Sequence, residues 1–382
     1  MRSSADVVVI GGGVVGASIA YNLAKQGVKD VVLCEKDTFA NGSTGRCGAG
    51  VREQWGSEGN IRICKASIDI FENLQEELDY DYDIEFVQKG YLMMAYTEKE
   101  WDQFQKNVEV QHRLGVNSIL CTPEEAKEIV PVLNTEGMFG ATYNARDGHA
   151  NPFHTTNAYL KAFERLGGEV NDFTEVTGIE KRGDKVAKVK TTKGDISAPV
   201  VVNAAGPWAA PVGSMVGVEL PVYTERHQIL VTEAVGHLFD PMLMSFSLGI
   251  YCQQTPHGSL VMGIGDPNEP KGYDIGQSWQ FLKKMSDVMC RLVPALKGVR
   301  VVRQWSGLYT ISPDAHPILG TVPGVDGYYQ AVGFSGHGFM LAPIVGKLIS
   351  EMIVGKEPSI DISDLDLGRF ERGDLRVEPS VV

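Results

Sequence analysis

The chain has 382 residues, enough to bury a large hydrophobic core, and this length favours two domains. Its net charge of −13 argues against a nucleic-acid partner, which would require a basic surface. The six cysteines lack zinc or disulfide spacing, and no apolar run is long enough to span a bilayer. With a strand predicted from residue 6, we expect no secretory signal, no metal site and a cytoplasmic protein.

The first predicted elements are a strand, a tight glycine turn and a helix. The strand of residues 6–10 runs into a G-x-G-x-x-G motif at Gly11, Gly13 and Gly16. Gly11 permits the sharp turn, Gly13 lets the backbone approach a pyrophosphate, and Gly16 lets the helix pack on the strand. The helix start, with Val14 and Val15, offers free N–H groups to that anion. The motif therefore predicts a cofactor that contains ADP.

The second strand covers residues 31–34 and ends at Glu35, nineteen positions after Gly16. An acidic residue at this spacing accepts hydrogen bonds from the ribose hydroxyls and repels a 2′-phosphate, which disfavours NADP. We place the neighbouring Lys36 in the same cofactor site. At this point the motif leaves both FAD and NAD open.

Further along the chain, the predicted helices and strands fall into alternating segments of two different patterns. A glycine-rich loop, residues 41–50, precedes helices near 60–78 and 98–114, a strand at 90–96, and a helix beginning at Thr122-Pro123. A helix (155–166), a hairpin (186–196) and a buried strand (200–206) follow, and then strands around a helix at 279–292. A glycine segment at 333–338 opens the last helix, 339–354.

We predict an α/β protein, α+β overall, with a discontinuous Rossmann-like domain and an antiparallel-sheet domain with flanking helices. The nucleotide-binding domain takes residues 1–85, 148–218 and 303–382. The substrate-binding domain takes residues 86–147 and 219–302. This interleaving is difficult to reconcile with an NAD dehydrogenase, whose cofactor-binding half is usually contiguous.

The chain resembles the D-amino-acid-oxidase superfamily of flavoproteins, in its sarcosine-oxidase branch. Within that branch it is most similar to the FAD-bearing β subunits of heteromeric L-proline dehydrogenases. The resemblance rests on the first glycine motif with Glu35 and on four further segments: Gly42-Ser43-Thr44-Gly45-Arg46, Asn203-Ala204-Ala205-Gly206-Pro207-Trp208, Tyr309-Thr310-Ile311-Ser312-Pro313-Asp314 and Gly333-Phe334-Ser335-Gly336-His337-Gly338-Phe339. It implies that the cofactor is FAD.

The resemblance also implies which residues contact FAD. In similar proteins the strand at Val176 holds the adenine, and the last helix start faces the flavin pyrimidine edge. There it stabilises the negative charge that reduction places on N1 and the C2 carbonyl oxygen. The residues implied, besides those of the first motif, are Ser43, Thr44, Gly45, Arg46, Cys47, Val176, Ala205, Gly206, Trp208, Gly307, Gly336, His337, Gly338, Phe339 and Met340. Plain glycine turns and a buried core tryptophan are the alternatives.

Three residues are implied to act on substrate. Arg52 would bind the substrate carboxylate through its guanidinium fork, with Arg46 as a competitor nearer the phosphates. His227 would take a proton from the substrate amine, and the Tyr251 hydroxyl would orient that amine. The alternatives are a surface salt bridge for the arginine, and a hydrogen-bonded core histidine with a packed tyrosine.

The chain departs from the single-chain sarcosine oxidases at three positions. No cysteine stands at 307–309 to bind flavin covalently, so we expect non-covalent FAD. Val261 stands where those oxidases keep an oxygen-activating lysine, which favours a dehydrogenase that passes electrons to another carrier. Met340 stands in place of a second lysine that binds carboxylate, so this task falls on Arg52.

The resemblance therefore implies oxidation of a cyclic or N-methyl amino acid, most of all L-proline, by hydride transfer to FAD. It also implies a second, different subunit, with FMN at the subunit interface. The FMN-bearing histidine of similar oxidases has no clean match near residues 151–154, so any FMN would be non-covalent. Two alternatives stay open: an oxygen-using oxidase of sarcosine or a D-amino acid, and a non-catalytic flavin-binding subunit.

Overall fold

The structure, a computed structural model, describes residues 1–379, so the last three residues of the predicted segment 303–382 lie outside the described residues. Its helices are α1 Val14–Lys25, α2 Glu58–Phe71, α3 Leu74–Glu77, α4 Glu98–Arg113, α5 Pro123–Ile129, α6 Pro152–Arg165, α7 Ala209–Ser214, α8 Trp279–Leu292, α9 Gly338–Ile353 and α10 Arg369–Arg372. Its strands are β1 Val7–Ile10, β2 Val31–Cys34, β3 Gly50–Val51, β4 Tyr91–Ala95, β5 Ile119–Cys121, β6 Gly140–Asn144, β7 Gly148–His149, β8 Glu169–Asn171, β9 Val176–Arg182, β10 Lys185–Thr191, β11 Gly194–Ser197, β12 Val200–Asn203, β13 Tyr223–Thr232, β14 Met242–Ser245, β15 Ile250–Gln254, β16 Leu260–Ile264, β17 Val301–Ile311, β18 Ile318–Val322 and β19 Val325–Val332.

A nine-stranded sheet is built around β1. Its order is β11-β10-β19-β12-β1-β2-β8, with β9 added on β10 and β18 added on β19. The strands β8, β2, β1, β12 and β19 run parallel to one another. The central strands are almost entirely Val, Ile and Leu and are buried on both faces, which is typical of a parallel sheet covered by other elements.

Helices α1, α2, α6 and α9 cover one face of this sheet and share one hydrophobic core. The helices α1 and α9 approach very closely, because a Cβ at Gly346 would lie 2.1 Å from the Ser18 hydroxyl oxygen. A second core on the opposite face includes Val212 and Val216 of the α7 region. The sheet is therefore fixed from both sides, and its carboxyl edge has a defined geometry.

An eight-stranded sheet has the order β17-β13-β16-β15-β14-β4-β6-β5. Its pairs are antiparallel except for β4 and β14. Helix α8 packs its apolar side, with Phe281, Met285 and Met289, on one face of this sheet. His227 and Tyr251 alternate with residues of that core, so they lie on the opposite face.

The two strands β3 and β7 pair with each other next to both sheets, with Val51 opposite Gly148. The boundary predicted at residue 303 falls inside β17, which pairs with β13 along its whole length. A division that keeps each sheet intact would therefore run after Ile311. Strand pairing fixes this point, and the sequence did not indicate the pairing.

The α/β architecture predicted from the sequence is confirmed. Helix α8 has the predicted bounds, and α5 begins at Pro123 with the Thr122 hydroxyl accepting from the Glu125 N–H at 3.2 Å. The helical stretch predicted at 60–78 is divided into α2 and α3. Within residues 1–379, none of the helices has the length and apolar character needed to cross a bilayer.

Candidate active site

A cavity of about 410 Å³ lies at the carboxyl ends of the parallel strands of the nine-stranded sheet. The turn after β1 forms its floor. Gly11 has a φ of +114°, and a Cβ there would lie 2.3 Å from the Ala204 carbonyl oxygen. A Cβ at Gly16 would lie 1.9 Å from the Gly11 carbonyl oxygen, so Gly16 sits behind the turn. Glycine at both positions keeps the helix start of α1 open to the cavity.

Glu35 lies at the end of β2 and faces the same cavity. One carboxylate oxygen accepts the Gly12 N–H at 2.7 Å, and the other accepts the Asp37 N–H at 2.9 Å. Two backbone donors therefore fix the carboxylate at the position where an acidic residue contacts the ribose of a bound dinucleotide.

The loop of residues 41–47 closes one side of the cavity. Ser43 and Arg46 donate side-chain hydrogen bonds to backbone carbonyls of β17, at 2.7 and 3.2 Å. The Thr44 hydroxyl accepts the Val14 N–H at 3.2 Å, which ties the loop to the start of α1. Gly45 does not line the cavity, because a Cβ there would lie 2.4 Å from the Ala40 carbonyl oxygen.

Two cysteines, Cys34 and Cys47, line the cavity. Burial raises the pKa of Cys34 to about 12 and that of Cys47 to about 11. The Cys47 thiol donates to the Thr44 carbonyl oxygen at 3.0 Å. At neutral pH both thiols are protonated and are therefore poor nucleophiles.

Aromatic and basic side chains lie at the Glu35 end of the cavity. The Lys36 ammonium lies 3.3 Å from the Trp208 ring centroid, and the Tyr273 ring stacks on Trp208 at 6.0 Å. Burial lowers the pKa of Lys36. Trp208 is half-buried and lines the cavity, so it is not a core tryptophan. The backbone segments at Val176 and at Ala205 and Gly206 lie beside it, completing this end.

The start of helix α9 lies at the cavity wall. Gly336, Gly338 and Phe339 line the cavity, and no side chain caps the first turn of the helix. A Cβ at Gly336 would lie 2.6 Å from the ring of Tyr309, so that ring packs directly on the glycine. The wall thus combines the positive end of a helix dipole with an aromatic surface.

Behind this wall, three aromatic rings form a stack. The His227 ring lies 4.4 Å from the Tyr309 ring and 5.9 Å from the Tyr251 ring, with interplanar angles of 6° and 12°. Burial lowers the pKa of His227 to about 4, so the imidazole is uncharged at neutral pH. Its Nε2 is buried and has no hydrogen-bond partner within residues 1–379. A buried unpaired nitrogen is a costly feature that a polar ligand would relieve.

Tyr251 fits into a slot made by two glycines. A Cβ added at Gly48 would lie 2.8 Å from the Tyr251 ring, and one added at Gly263 would lie 2.5 Å from it. Burial raises the pKa of Tyr251, with the nearby Tyr309 and Tyr91 adding to the shift. The hydroxyl therefore stays protonated and can donate a hydrogen bond.

Arg52 is buried, with 2% of its surface exposed. Its guanidinium stacks on the Trp55 ring, 3.6 Å from the centroid, and donates to the Gln54 carbonyl oxygen. The charges of Asp147 and Glu378 act on it, but within the described residues 1–379 no carboxylate forms an ion pair with it. The Phe246 ring centroid lies 5.8 Å from the guanidinium carbon. Tyr91 is also a neighbour, and the positive charge of Arg52 acts to lower the pKa of its hydroxyl. An unpaired buried guanidinium favours an anionic ligand.

We call the group of Arg52, Trp55, Tyr91, Phe246 and Tyr251 the Arg52 cluster. Tyr251 and Phe246 pack against the small core around Tyr91, which joins the cluster to the stacked rings. The Tyr91 hydroxyl contacts Gly50, where a Cβ would lie only 1.7 Å away. Burial raises the pKa of Tyr91, so this hydroxyl is also a donor.

The structure brings most of the predicted cofactor residues to one cavity. Those lining it are Gly11, Gly13, Val14, Val15, Glu35, Lys36, Ser43, Thr44, Arg46, Cys47, Val176, Ala205, Gly206, Trp208, Gly336, Gly338 and Phe339. Those that do not line it are Gly16, Gly45, Gly307, His337 and Met340. The predicted catalytic residues Arg52, His227 and Tyr251 do not line it; His227 and Tyr251 are connected to its wall through the ring of Tyr309.

The residues off the wall have local reasons to be there. Gly307 packs behind Arg46, since a Cβ would lie 3.0 Å from the Arg46 Cβ. His337 packs edge-on to Trp55, with centroids 4.5 Å apart, and burial lowers its pKa to about 3. The Met340 side chain is buried in the core shared by α2 and α9.

Sequence reasoning missed four residues of this region: Tyr91, Asp147, Tyr273 and Tyr309. Tyr309 stands two positions after Gly307, on the same side of β17, which is a signal that alternation along a strand could have given. Asp147 is fully buried, and this burial raises its pKa to about 7. Nothing in the local sequence marks Tyr91, Asp147 or Tyr273, because their neighbours come from distant segments.

These residues fit FAD. The glycine turn at α1 and the carboxylate of Glu35 suit the ADP half, and the start of α9 beside Tyr309 suits an isoalloxazine ring. The buried donors behind that ring position suit a small polar substrate. The fold and site therefore define a flavin-dependent oxidoreductase.

The family of FAD-dependent oxidoreductases designated DAO matches residues 6–352, and the chain belongs to this family. The resemblance inferred from the motifs is confirmed, as is the prediction of an FAD-dependent enzyme. Human mitochondrial dimethylglycine dehydrogenase is 32% identical over 395 residues, covering 97% of this chain and 45% of that protein. The chain thus spans less than half of this longer relative.

Two other relatives are covered almost completely. The sarcosine oxidase subunit beta of an Arthrobacter species is 32% identical over 380 residues, covering 98% of this chain and 93% of that one. The crystal structure of L-proline dehydrogenase from P. horikoshii is similar with a TM-score of 0.93 and 38% identity, covering 98% of this chain and 100% of that chain. The likeness extends over both sheets.

Proposed function

We propose that the chain is the catalytic, FAD-bearing subunit of a dehydrogenase that oxidises a secondary amino acid, with L-proline as the first candidate. The observation that carries this proposal is Arg52, a buried guanidinium with no carboxylate partner in residues 1–379. The names of the similar proteins, an L-proline dehydrogenase and a sarcosine oxidase subunit, support a substrate with a secondary amine and a carboxylate.

Arg52 would bind the substrate carboxylate. Its planar fork can make two parallel hydrogen bonds to a carboxylate, which fixes orientation as well as position. The Trp55 ring beneath the guanidinium limits its motion. The Tyr91 hydroxyl, which contacts Gly50, would add a third donor.

Tyr251 and His227 would hold the amine end. Bound FAD supplies the hydride acceptor, and only a neutral amine readily releases hydride from the carbon next to nitrogen. With a pKa of about 4, His227 accepts a hydrogen bond through Nε2 rather than keeping the proton of an ammonium group. Tyr251 and His227 would therefore select and orient the neutral amine, while its proton leaves to water.

An oxygen-using oxidase is the second candidate, supported by the name of the sarcosine oxidase subunit. Val261, in β16 opposite Gln253 of the Tyr251 strand, offers no cation to assist oxygen reduction. This position favours the dehydrogenase. A non-catalytic flavin-binding subunit is a third candidate, which the buried Arg52 guanidinium without an ion-pair partner in residues 1–379 makes less suitable.

We also propose that FAD is bound without a covalent link and that FMN lies at an interface with a second, different subunit. The protonated thiols of Cys34 and Cys47 support non-covalent FAD. His154, nearest to the position where similar oxidases bind FMN covalently, is engaged with the Tyr80 hydroxyl at 3.1 Å. That engagement supports non-covalent binding of any FMN.

Anaerobic mixing of the purified, FAD-loaded full chain with L-proline tests the proposal. We expect the visible flavin absorbance to bleach within the dead time or seconds of mixing, on the order of typical turnover times. A flavin that never bleaches with L-proline, hydroxyproline or sarcosine would contradict the catalytic assignment. In air, hydrogen peroxide formed in step with substrate loss would establish the oxidase instead.

Replacing Arg52 tests the anchor itself. Arg52→Gln should weaken substrate binding by about 2 to 4 kcal/mol, the cost of leaving a carboxylate unpaired in a closed site. Arg62→Gln is the matched control, because Arg62 is exposed on α2 and pairs only weakly with Glu58 at 3.6 Å. An unchanged KM for Arg52→Gln would remove Arg52 from the substrate site.

A further inference from the structure

The segment of residues 52–55 is irregular but completely buried. Each of its four residues has 2% or less of its surface exposed, although three of them, Arg52, Glu53 and Gln54, are polar. The segment begins where the β3–β7 pairing ends, with Val51 opposite Gly148. A buried segment without regular structure depends on side-chain partners to fix its shape.

Asp147 supplies those partners. It directly precedes β7, so the antiparallel pairing brings it beside the segment. Its carboxylate accepts the Glu53 N–H at 2.7 Å, the Gln54 side-chain amide at 2.8 Å and the Asn144 amide at 3.0 Å. Two of these three donors belong to the segment that carries Arg52.

Gln54 connects this network to the guanidinium. Its backbone carbonyl oxygen accepts a hydrogen bond from Arg52, and its side-chain amide also reaches the Tyr91 carbonyl oxygen at 3.2 Å. The position of the Gln54 carbonyl, and with it the direction of the guanidinium fork, depends on where Asp147 holds the segment.

We propose that Asp147 is a positioning residue, which acts through Glu53 and Gln54 to aim Arg52 at the substrate carboxylate. The inference rests on the proposed function in treating Arg52 as the carboxylate anchor. Both Asp147 carboxylate oxygens are engaged by Glu53, Gln54 and Asn144, so Asp147 acts on substrate through the segment, and its charge also acts on the Arg52 guanidinium. Replacing Asp147 should therefore weaken the binding of ligands that have a carboxylate and leave the binding of ligands without one unchanged.

The test uses cyclopentanecarboxylate and its neutral amide as probes. The acid has the ring size of proline but no nitrogen, so its binding does not require oxidation. Titration of the FAD-loaded full chain, followed by the flavin absorbance shift and by thermal stabilisation, gives Kd for each probe. The variants are Asp147→Asn, Arg52→Gln and the double variant.

Asp287→Asn is the control, because Asp287 is exposed on α8, pairs with Lys283 at 2.8 Å and has no contact with residues 52–55. FAD content and melting temperature at a single pH show whether each variant folds. Asp147→Asn keeps one acceptor oxygen and the same shape, so it preserves the burial of the side chain while removing a bond to the segment.

We expect Asp147→Asn to raise the Kd for the acid about tenfold, as a small misplacement of a binding group does. The Kd for the amide should stay within about twofold of the value for the parent chain. In the Arg52→Gln background, Asp147→Asn should cause no further loss, because the two residues act through one contact. Equal losses for acid and amide, or additive losses in the double variant, would overturn the proposal. An unchanged affinity for the acid would also overturn it.

Failure of the positioning role and failure of the proposed function are distinguishable. If the acid binds in a manner that depends on both Arg52 and Asp147 but L-proline never reduces the flavin, only the proposed function fails. If L-proline reduces the flavin and Asp147→Asn binds the acid normally, only the positioning role fails. If the parent chain does not bind the acid at all, the anchor is wrong and both fail.

Discussion

The cofactor cavity and the Arg52 cluster are built in different ways. The cavity is formed largely by backbone: two helix starts, a glycine turn with φ of +114° at Gly11, and carbonyls of β17 that hold one loop. The Arg52 cluster is formed by side chains from four separate segments, packed around one guanidinium. Backbone sites tolerate little change in conformation, whereas side-chain sites can be altered residue by residue.

Specificity for the cofactor and specificity for the substrate therefore lie in different parts of the molecule. Any molecule with a pyrophosphate can use the free N–H groups of a helix start, so the cavity defines a class of cofactor. The Arg52 cluster contains the few polar atoms whose placement selects one substrate over another. Substitutions should therefore separate into those that lose FAD and those that lose substrate.

The largest effect is expected from Gly11→Ala, which tests the backbone-built cavity. The backbone at residue 11 is in a left-handed conformation, and the new Cβ would lie 2.3 Å from the Ala204 carbonyl oxygen. We therefore expect the free energy of unfolding to fall by about 3 kcal/mol or more and the variant to lose FAD. Thermal unfolding and the flavin-to-protein absorbance ratio measure both.

Gly27→Ala is the matched control for Gly11→Ala. Gly27 also has a positive φ, +94°, but a Cβ there would meet no atom within 4 Å, so only backbone strain of about 1 kcal/mol is expected. If the two variants lose stability and FAD equally, close approach of the backbone is not what the turn requires.

An intermediate effect is expected from pH, through the stacked His227. The unfolded chain protonates this imidazole near its ordinary pKa of about 6.5, whereas the folded chain does so only near 4. The unfolded state thus binds more protons between these values, and stability falls as pH drops through the window. The slope is about 1.4 kcal/mol for each pH unit in its interior.

His227→Asn should reduce this acid-side loss of melting temperature between pH 6.5 and 4. His237→Asn is the control, because the His237 side chain is 68% exposed. FAD should remain bound in both variants near neutral pH. A pH profile for His227→Asn that matches the parent would show that burial of the stack does not exclude the charged imidazole.

The smallest effect is expected from Tyr91→Phe, which tests one side chain of the Arg52 cluster. Loss of one hydroxyl donor should weaken substrate binding by about 1 kcal/mol and leave FAD affinity unchanged. Tyr96→Phe, at a buried hydroxyl with no partner within residues 1–379, should change neither. Equal KM values for parent and Tyr91→Phe would exclude that hydroxyl from the substrate site.

The same contrast explains what the sequence could predict. The glycine motif, Glu35 and the opening of α9 depend on neighbours along the chain, so local spacing located them. The family resemblance, rather than any pattern, led to Arg52, His227 and Tyr251. The roles of these three residues stay predictions.

Other features depended on pairings that the sequence does not reveal. Tyr309 joins the stack because His227 lies opposite Gly307 in the β13–β17 pair, which leaves room for the rings. Asp147 meets residues 52–55 through the short β3–β7 pairing. The boundary at residue 303 cut β17 for the same reason, since a long strand that joins two domains has no local mark where one ends.

The contact between Gly346 and Ser18 joins α1 and α9, the two helices whose starts line the cavity. A rigid crossing at this point sets the distance between the start of α1, which suits the pyrophosphate, and the start of α9, which suits the isoalloxazine ring. The helix pair therefore limits the length of cofactor that fits. A larger residue at 346 would push these starts apart without touching either one. Adapting this scaffold to a longer or shorter redox cofactor would therefore begin at a crossing remote from every ligand atom.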